Sequence, residues 1–92
     1  MTQKQLRTLN AFVEHYGVYN QENKAIEECK ELIAEIELAK QNTGFVENIV
    51  DEIADVEIMI NQLKIIFRCF AEVEERIDFK INRQLERIEK GE

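Results

Sequence analysis

Apolar positions recur with a helical period along almost the whole 92-residue chain. Leu6, Leu9, Phe12, Val13 and Tyr16 make a first stripe, which predicts an amphipathic helix over 3–16 ended by Gly17. A second pattern starts near Asn20 and runs to about Gln41, where "QNTG" supplies a stop and a turn. A third begins at about Phe45 and carries on into the low seventies. A fourth covers roughly 72–90, either continuous with the third or set off by a kink. Proline is absent, there are three glycines, and Glu, Lys, Leu, Ile, Ala and Gln dominate; most of these are good helix formers. No linker or low-complexity segment interrupts the pattern. The expectation is one all-α domain over 1–92, a small antiparallel helical bundle of about four helices.

Within this pattern the stretch "NIVDEIADVEIMINQLKIIF" (48–67) is unusual, because Glu52 and Asp55 lie on or beside its apolar face. The second helix echoes it. "AIEECKELIAEI" (25–36) aligns with "IVDEIADVEIMI" (49–60) at an offset of 24 residues, matching Glu28 with Glu52 and Glu31 with Asp55. At about 100° per residue, Ala25, Cys29, Leu32, Ile36 and Ala39 hold one arc of the second helix. Glu28 stands at the edge of that arc, Glu31 lies outside it, and Glu35 falls between the two. On the third helix Phe45, Ile49, Ile53, Val56, Ile60, Leu63 and Phe67 hold the equivalent arc, again with Glu52 at its edge. Two such helices joined by a short turn pack antiparallel. Glu28, Glu31, Glu52 and Asp55 then line one side of the seam.

Four carboxylates so close repel one another, and desolvation adds to the cost. A divalent cation relieves both at neutral pH. Ligands that are all oxygen favour Mg²⁺, with Mn²⁺ as a substitute. Either acidic pair alone is the common solvated face of a helix; it is the register of the two pairs that points to a metal. A carboxylate-bridged di-iron centre needs two E-x-x-H pairs. The only histidine is His15, with Phe12 three residues before it, so His15 reads as a surface or rim residue.

With 19 acidic and 12 basic residues the formal charge is −7, which argues against general binding to DNA, RNA or anionic membrane. The bases are nonetheless concentrated. Arg76, Lys80, Arg83 and Arg87 form one stripe of the C-terminal helix. That stripe reads either as salt bridges to acidic neighbours or as a phosphate clamp. Carboxylates with Mg²⁺ beside Lys and Arg suit a polyphosphate substrate, held without a Gly-rich loop. Cys29 and Cys69 have no metal-ligand spacing and lie in apolar surroundings, which predicts buried, reduced thiols. The start "MTQKQLRTLNAF" has no apolar signal segment, and no run is long enough to span a bilayer, so a cytoplasmic protein is expected.

"AIEECKELIAEI", "DEIADVEIMINQL" and "FKINRQLERI", in this order, resemble the MazG-like all-α nucleoside triphosphate pyrophosphohydrolases over roughly residues 12–88. The E-x-x-E and E-x-x-D pairs of that family match Glu28/Glu31 and Glu52/Asp55, and its K-x-x-R element matches Lys80/Arg83. The resemblance implies Mg²⁺-dependent hydrolysis of an NTP or dNTP to the monophosphate and pyrophosphate. In that reading Glu28, Glu31, Glu52 and Asp55 bind metal, one of them also orienting the attacking water, and Lys80 and Arg83 contact phosphates. Gln21, on the same side of the second helix as Glu28, reaches the sugar or base. Phe12, Tyr16 and Tyr19 are candidates for a nucleobase pocket, although core packing explains them equally well.

The third helix is apolar almost all round, with Val50, Ala54, Ile58, Ile65 and Cys69 forming a second stripe. Such a helix is buried on more than one side, and 92 residues cannot cover both. A homodimer or a dimer of dimers is expected, with the active site near the interface. A non-enzymatic helical-bundle adaptor or oligomerisation module predicts the same stripes without a metal requirement.

Overall fold

Thr2 opens the first helix with a reciprocal cap. Its Oγ1 accepts the Gln5 N–H at 3.0 Å while the Gln5 Oε1 accepts the Thr2 N–H at 2.9 Å, a device worth on the order of 1 kcal/mol. From there the computed structural model, which describes residues 1–92, is four helices and no strand: α1 (Gln3–Tyr16), α2 (Val18–Lys40), α3 (Val46–Phe67) and α4 (Phe70–Glu89).

The breaks between helices have local causes. Gly17 takes φ +91°, which side-chain-bearing residues rarely adopt, so one residue both ends α1 and starts α2. The second helix therefore begins at Val18, two residues before the expected Asn20. At its other end Asn42 sits in the left-handed region and the Thr43 N–H returns to the Leu38 carbonyl at 3.0 Å, closing a Schellman-type turn. Gly44 follows because a Cβ there would lie 3.2 Å from that of Leu38. The third helix stops earlier than its apolar period suggested. Arg68 adopts φ 52°, ψ 50° and the Cys69 N–H bonds back to the Lys64 carbonyl at 3.1 Å. A second Schellman-type turn, built without glycine, thus divides α3 from α4.

α2 and α3 form an antiparallel hairpin that is the spine of the molecule, and α1 lies across both. Buried and half-buried positions follow a heptad rhythm along the seam: Gln21, Ala25, Glu28, Leu32 and Glu35 on α2, facing Ile49, Glu52, Val56, Met59, Leu63 and Ile66 on α3, with the fully buried Gln62 beside them. This seam is rotated from the expected arcs. Ile36, Ile53, Ile60 and Phe67, all expected in the core, are exposed, while Glu28 and Gln62 are buried. Cys29 is exposed and Cys69 half-buried, so the expectation of two buried thiols fails. Both are free.

The buried apolar core is only Leu9, Val13, Ala25, Val56 and Met59. α4 packs on α3 alone and has no buried residue; its apolar row Ile77, Ile81, Leu85 and Ile88 is exposed. The radius of gyration is 16.1 Å, against about 12 Å for a compact chain of this length. The accessible surface is 7308 Å², against about 5,600 Å² expected for a folded monomer of this mass. No helix is long and apolar enough to cross a membrane.

Candidate metal centre

The hairpin register is set by a buried amide pair. Gln21 Nε2 donates to Gln62 Oε1 at 2.6 Å, and Gln62 has the lowest exposure of any buried residue, 1 %. Seven residues further along α2 and seven back along α3, Glu28 meets Asp55. Three more in each direction bring Glu31 opposite Glu52. The acidic echo in the sequence therefore becomes a near-symmetric pair of carboxylate pairs across one seam.

One oxygen each from Glu28, Glu31 and Glu52 lie within 4.8 Å of one another. Asp55 adjoins this trio beside Glu28, whose charge acts on its carboxyl, and the two line the same cavity. All four expected ligands are thus brought together. The charges are poorly accommodated. Burial, then the charges of Glu31, Glu28 and Asp55, push the Glu52 carboxyl above its ordinary range. Burial and the Glu28 charge do the same to Asp55. Glu31 is raised by its hydrogen bond with Glu28 and by that residue's charge. Burial also pushes Glu28 upward, but the Lys24 ammonium and hydrogen bonds from Glu31 and Asp55 outweigh it and hold its carboxyl below the usual value. Lys24 Nζ stands 3.1 Å from Glu28 Oε1 in the only ion pair of the protein.

The donor set fits a hard divalent cation. Glu28 Oε2, Glu52 Oε2 and Glu35 Oε2 are inaccessible and have no hydrogen-bond partner, an arrangement that is costly for carboxylates unless a cation faces them. The ligands are carboxylate oxygens without sulfur or imidazole, the chemistry preferred by Mg²⁺ and Mn²⁺.

Beside the carboxylates lies a cavity of about 480 Å³ lined by Tyr16, Asn20, Gln21, Lys24, Glu28, Asp55, Ile58, Met59 and Gln62. Its volume is in the range of small-molecule sites. Gln21 reaches it as expected. Of the three aromatic candidates only Tyr16 does; Phe12 and Tyr19 are exposed elsewhere. Gln62, Asn20, Lys24 and Glu35 were not singled out as site residues from the sequence, although an amide at Gln62 inside an apolar helical run was a visible anomaly.

The basic stripe is not brought to the carboxylates within one chain. Lys80 and Arg83 are exposed on α4, which does not touch α2. Arg76 and Arg83 instead flank the Phe79 ring, their guanidinium carbons 4.7 and 5.5 Å from its centroid. None of Arg76, Lys80, Arg83 and Arg87 forms a salt bridge. Comparison of the chain with known protein families, with curated proteins and with solved structures finds no match.

Proposed function

We propose that this protein is a Mg²⁺-dependent nucleoside triphosphate pyrophosphohydrolase that converts an NTP or dNTP to the monophosphate and pyrophosphate. The observation that carries the reading is the convergence of Glu28, Glu31, Glu52 and Asp55 across the hairpin seam, with inaccessible, unpartnered oxygens on Glu28 and Glu52. A cavity sized for a small molecule opens directly onto two of them. The order of the acidic pairs, and their resemblance to the MazG-like pattern, supports the same substrate class.

In this reading the four carboxylates hold the metal, with Mn²⁺ as a substitute. When bound, the metal neutralises phosphate charge and lowers the pKa of a coordinated water. One of the four carboxylates also orients the attacking water and takes its proton. A phosphorus–oxygen bond to that water forms as the α–β anhydride breaks, and pyrophosphate leaves. Gln21 and Gln62 offer an amide edge to the nucleoside. The pair uses one Gln21 N–H and the Gln62 carbonyl, and Gln62 Nε2 donates to Met59 Sδ at 3.9 Å, which leaves the Gln21 carbonyl and the second Gln62 N–H for a polar base edge.

Lys80 and Arg83 serve as phosphate ligands supplied by a second copy of the chain. Support comes from the isolation of α4, its exposed apolar row and the roughly 1,700 Å² of surface in excess of a compact monomer. That excess is comparable to a substantial protein–protein interface. A homodimer or dimer of dimers covers Ile53, Ile60 and Phe67 as well. The exposed apolar rows would equally suit a non-enzymatic oligomerisation module, and the metal requirement separates the two. The purified protein with Mg²⁺ should release pyrophosphate and a monophosphate from at least one member of a panel of NTPs, dNTPs and base-modified analogues. Orthophosphate release alone, or no turnover with either Mg²⁺ or Mn²⁺, refutes the proposal.

A further inference from the structure

Lys24 occupies a position that neither the acidic motifs nor the basic stripe explains. It projects from α2 one turn before Glu28, its side chain is half exposed, and its Nζ reaches the Glu28 Oε1 at 3.1 Å while the Glu28 side chain is 92 % buried. The second Glu28 oxygen is inaccessible and has no partner. Lys24 also lines the cavity shared by Gln21, Gln62 and Asp55. A single ammonium thus stands between a buried carboxylate and an open cavity, free at its solvent-facing side to turn either way. Among the chain's basic residues it alone pairs with an acid.

We propose that Lys24 is an exchangeable counter-ion that couples metal binding to phosphate binding. Without metal its ammonium neutralises Glu28. A divalent cation takes the Glu28 carboxylate, and the released ammonium turns into the cavity to bind an anionic phosphate oxygen of the substrate. The ligand chemistry of this subsite is a polyphosphate. The inference rests on the metal reading given above. It explains how the cavity gains a cation although Lys80 and Arg83 are remote from it within the chain. The lysine stem is long enough to pivot about a fixed Cα, and an ammonium is a compact charge that exchanges partners without a fixed fork geometry.

Two binding measurements on the full chain test this, both independent of turnover. Mn²⁺ is titrated by calorimetry into wild type, Lys24→Gln and Lys24→Arg. A competing unit charge at a solvent-facing site is worth about a fivefold change in affinity, so Lys24→Gln should bind Mn²⁺ about fivefold more tightly, and Lys24→Arg close to wild type. Inorganic tripolyphosphate is then titrated at saturating Mg²⁺. Loss of a charge-assisted contact should weaken its binding at least tenfold in Lys24→Gln, with partial recovery in Lys24→Arg. A lysine that only strengthens its helix predicts a lower melting temperature with unchanged or weaker Mn²⁺ binding, and that result overturns the exchange. Tighter Mn²⁺ binding with unchanged tripolyphosphate affinity overturns the phosphate role. Absence of Mn²⁺ binding by the wild type removes the metal reading itself, and this inference with it.

Discussion

Replacing Glu52 by glutamine should make the metal-free protein more stable while removing most of its response to Mg²⁺. The Glu52 carboxyl is half-buried, one oxygen has no partner, and burial together with Glu31, Glu28 and Asp55 raises its pKa above the ordinary 4.5. A carboxyl raised in this way binds more protons in the folded than in the unfolded state between the two values. Stability therefore falls as pH rises through that window, and the full penalty is present at neutral pH. Glu31 and Asp55 act in the same direction. Glu28 acts oppositely: its contribution is present above its unfolded value and is lost as pH falls through the lowered folded value. Glutamine at position 52 carries no charge, so its share of the neutral-pH penalty disappears. If the carboxylates hold Mg²⁺ as proposed, the ion at one hundred times its dissociation constant should stabilise the wild type by about 2.7 kcal/mol. At about 4–8 °C per kcal/mol for a domain of this size, the melting temperature should rise by roughly 10–20 °C. Thermal unfolding followed by circular dichroism, in EDTA and in Mg²⁺, at neutral pH and near pH 5, measures every term. In EDTA the variant should melt above wild type at neutral pH, with the gap narrowing as pH falls, and its Mg²⁺-induced rise should be less than half that of wild type. An undiminished rise, or a metal-free variant that melts below wild type at neutral pH, refutes the assignment. Glu37→Gln and Glu57→Gln, on exposed faces, should leave the Mg²⁺ response unchanged.

The amide pair should be costly to break from one side: Gln62→Ala strands a buried Gln21 amide and should cost about 1–3 kcal/mol in denaturant unfolding. Replacing both residues by leucine should recover part of that loss, while nucleotide binding stays impaired. Lys80→Ala and Arg83→Ala should lower turnover by about one to two decades with little change in melting temperature, since neither is buried and the Arg83 contact with Phe79 is worth roughly 0.5–1 kcal/mol; normal turnover would remove them from the site. Ile81→Glu combined with Leu85→Glu should reduce the mass measured by light scattering to that of a monomer. An oligomer that survives this pair does not use the α4 face.

Five buried apolar residues make a thin core for a chain that is 45 % hydrophobic. Truncating one of them, Met59 for example, typically costs about 2–5 kcal/mol, a large share of the stability of a small domain. The exposed apolar rows and the unpartnered carboxylates are two aspects of one packing choice. The hairpin turns its acids inward and leaves Ile53, Ile60 and Phe67 outside. A metal would compensate for the first and a second copy of the chain for the second.

The helix period, the break at Gly17, the turn after Lys40 and the pairing of the two acidic motifs are all legible in the amino-acid order. Each depends on spacing within a few turns of one helix, or on one residue's backbone freedom. The offset between "AIEECKELIAEI" and "IVDEIADVEIMI" even implied that four carboxylates share a seam. The rotation of that seam was not legible, because hydrophobicity alone centres the α3 core on Ile53 and Ile60, whereas packing against α1 and α2 centres it on Val56, Met59 and Gln62. The end of α3 at Arg68 was hidden for a similar reason: a left-handed arginine has no compositional mark, and the apolar period runs straight through it. The Gln21–Gln62 bond joins residues 41 apart, and Lys24 acquires its significance only from the cavity that both helices wall. Local chemistry decided which residues form helices; the mutual rotation of those helices decided which side chains meet.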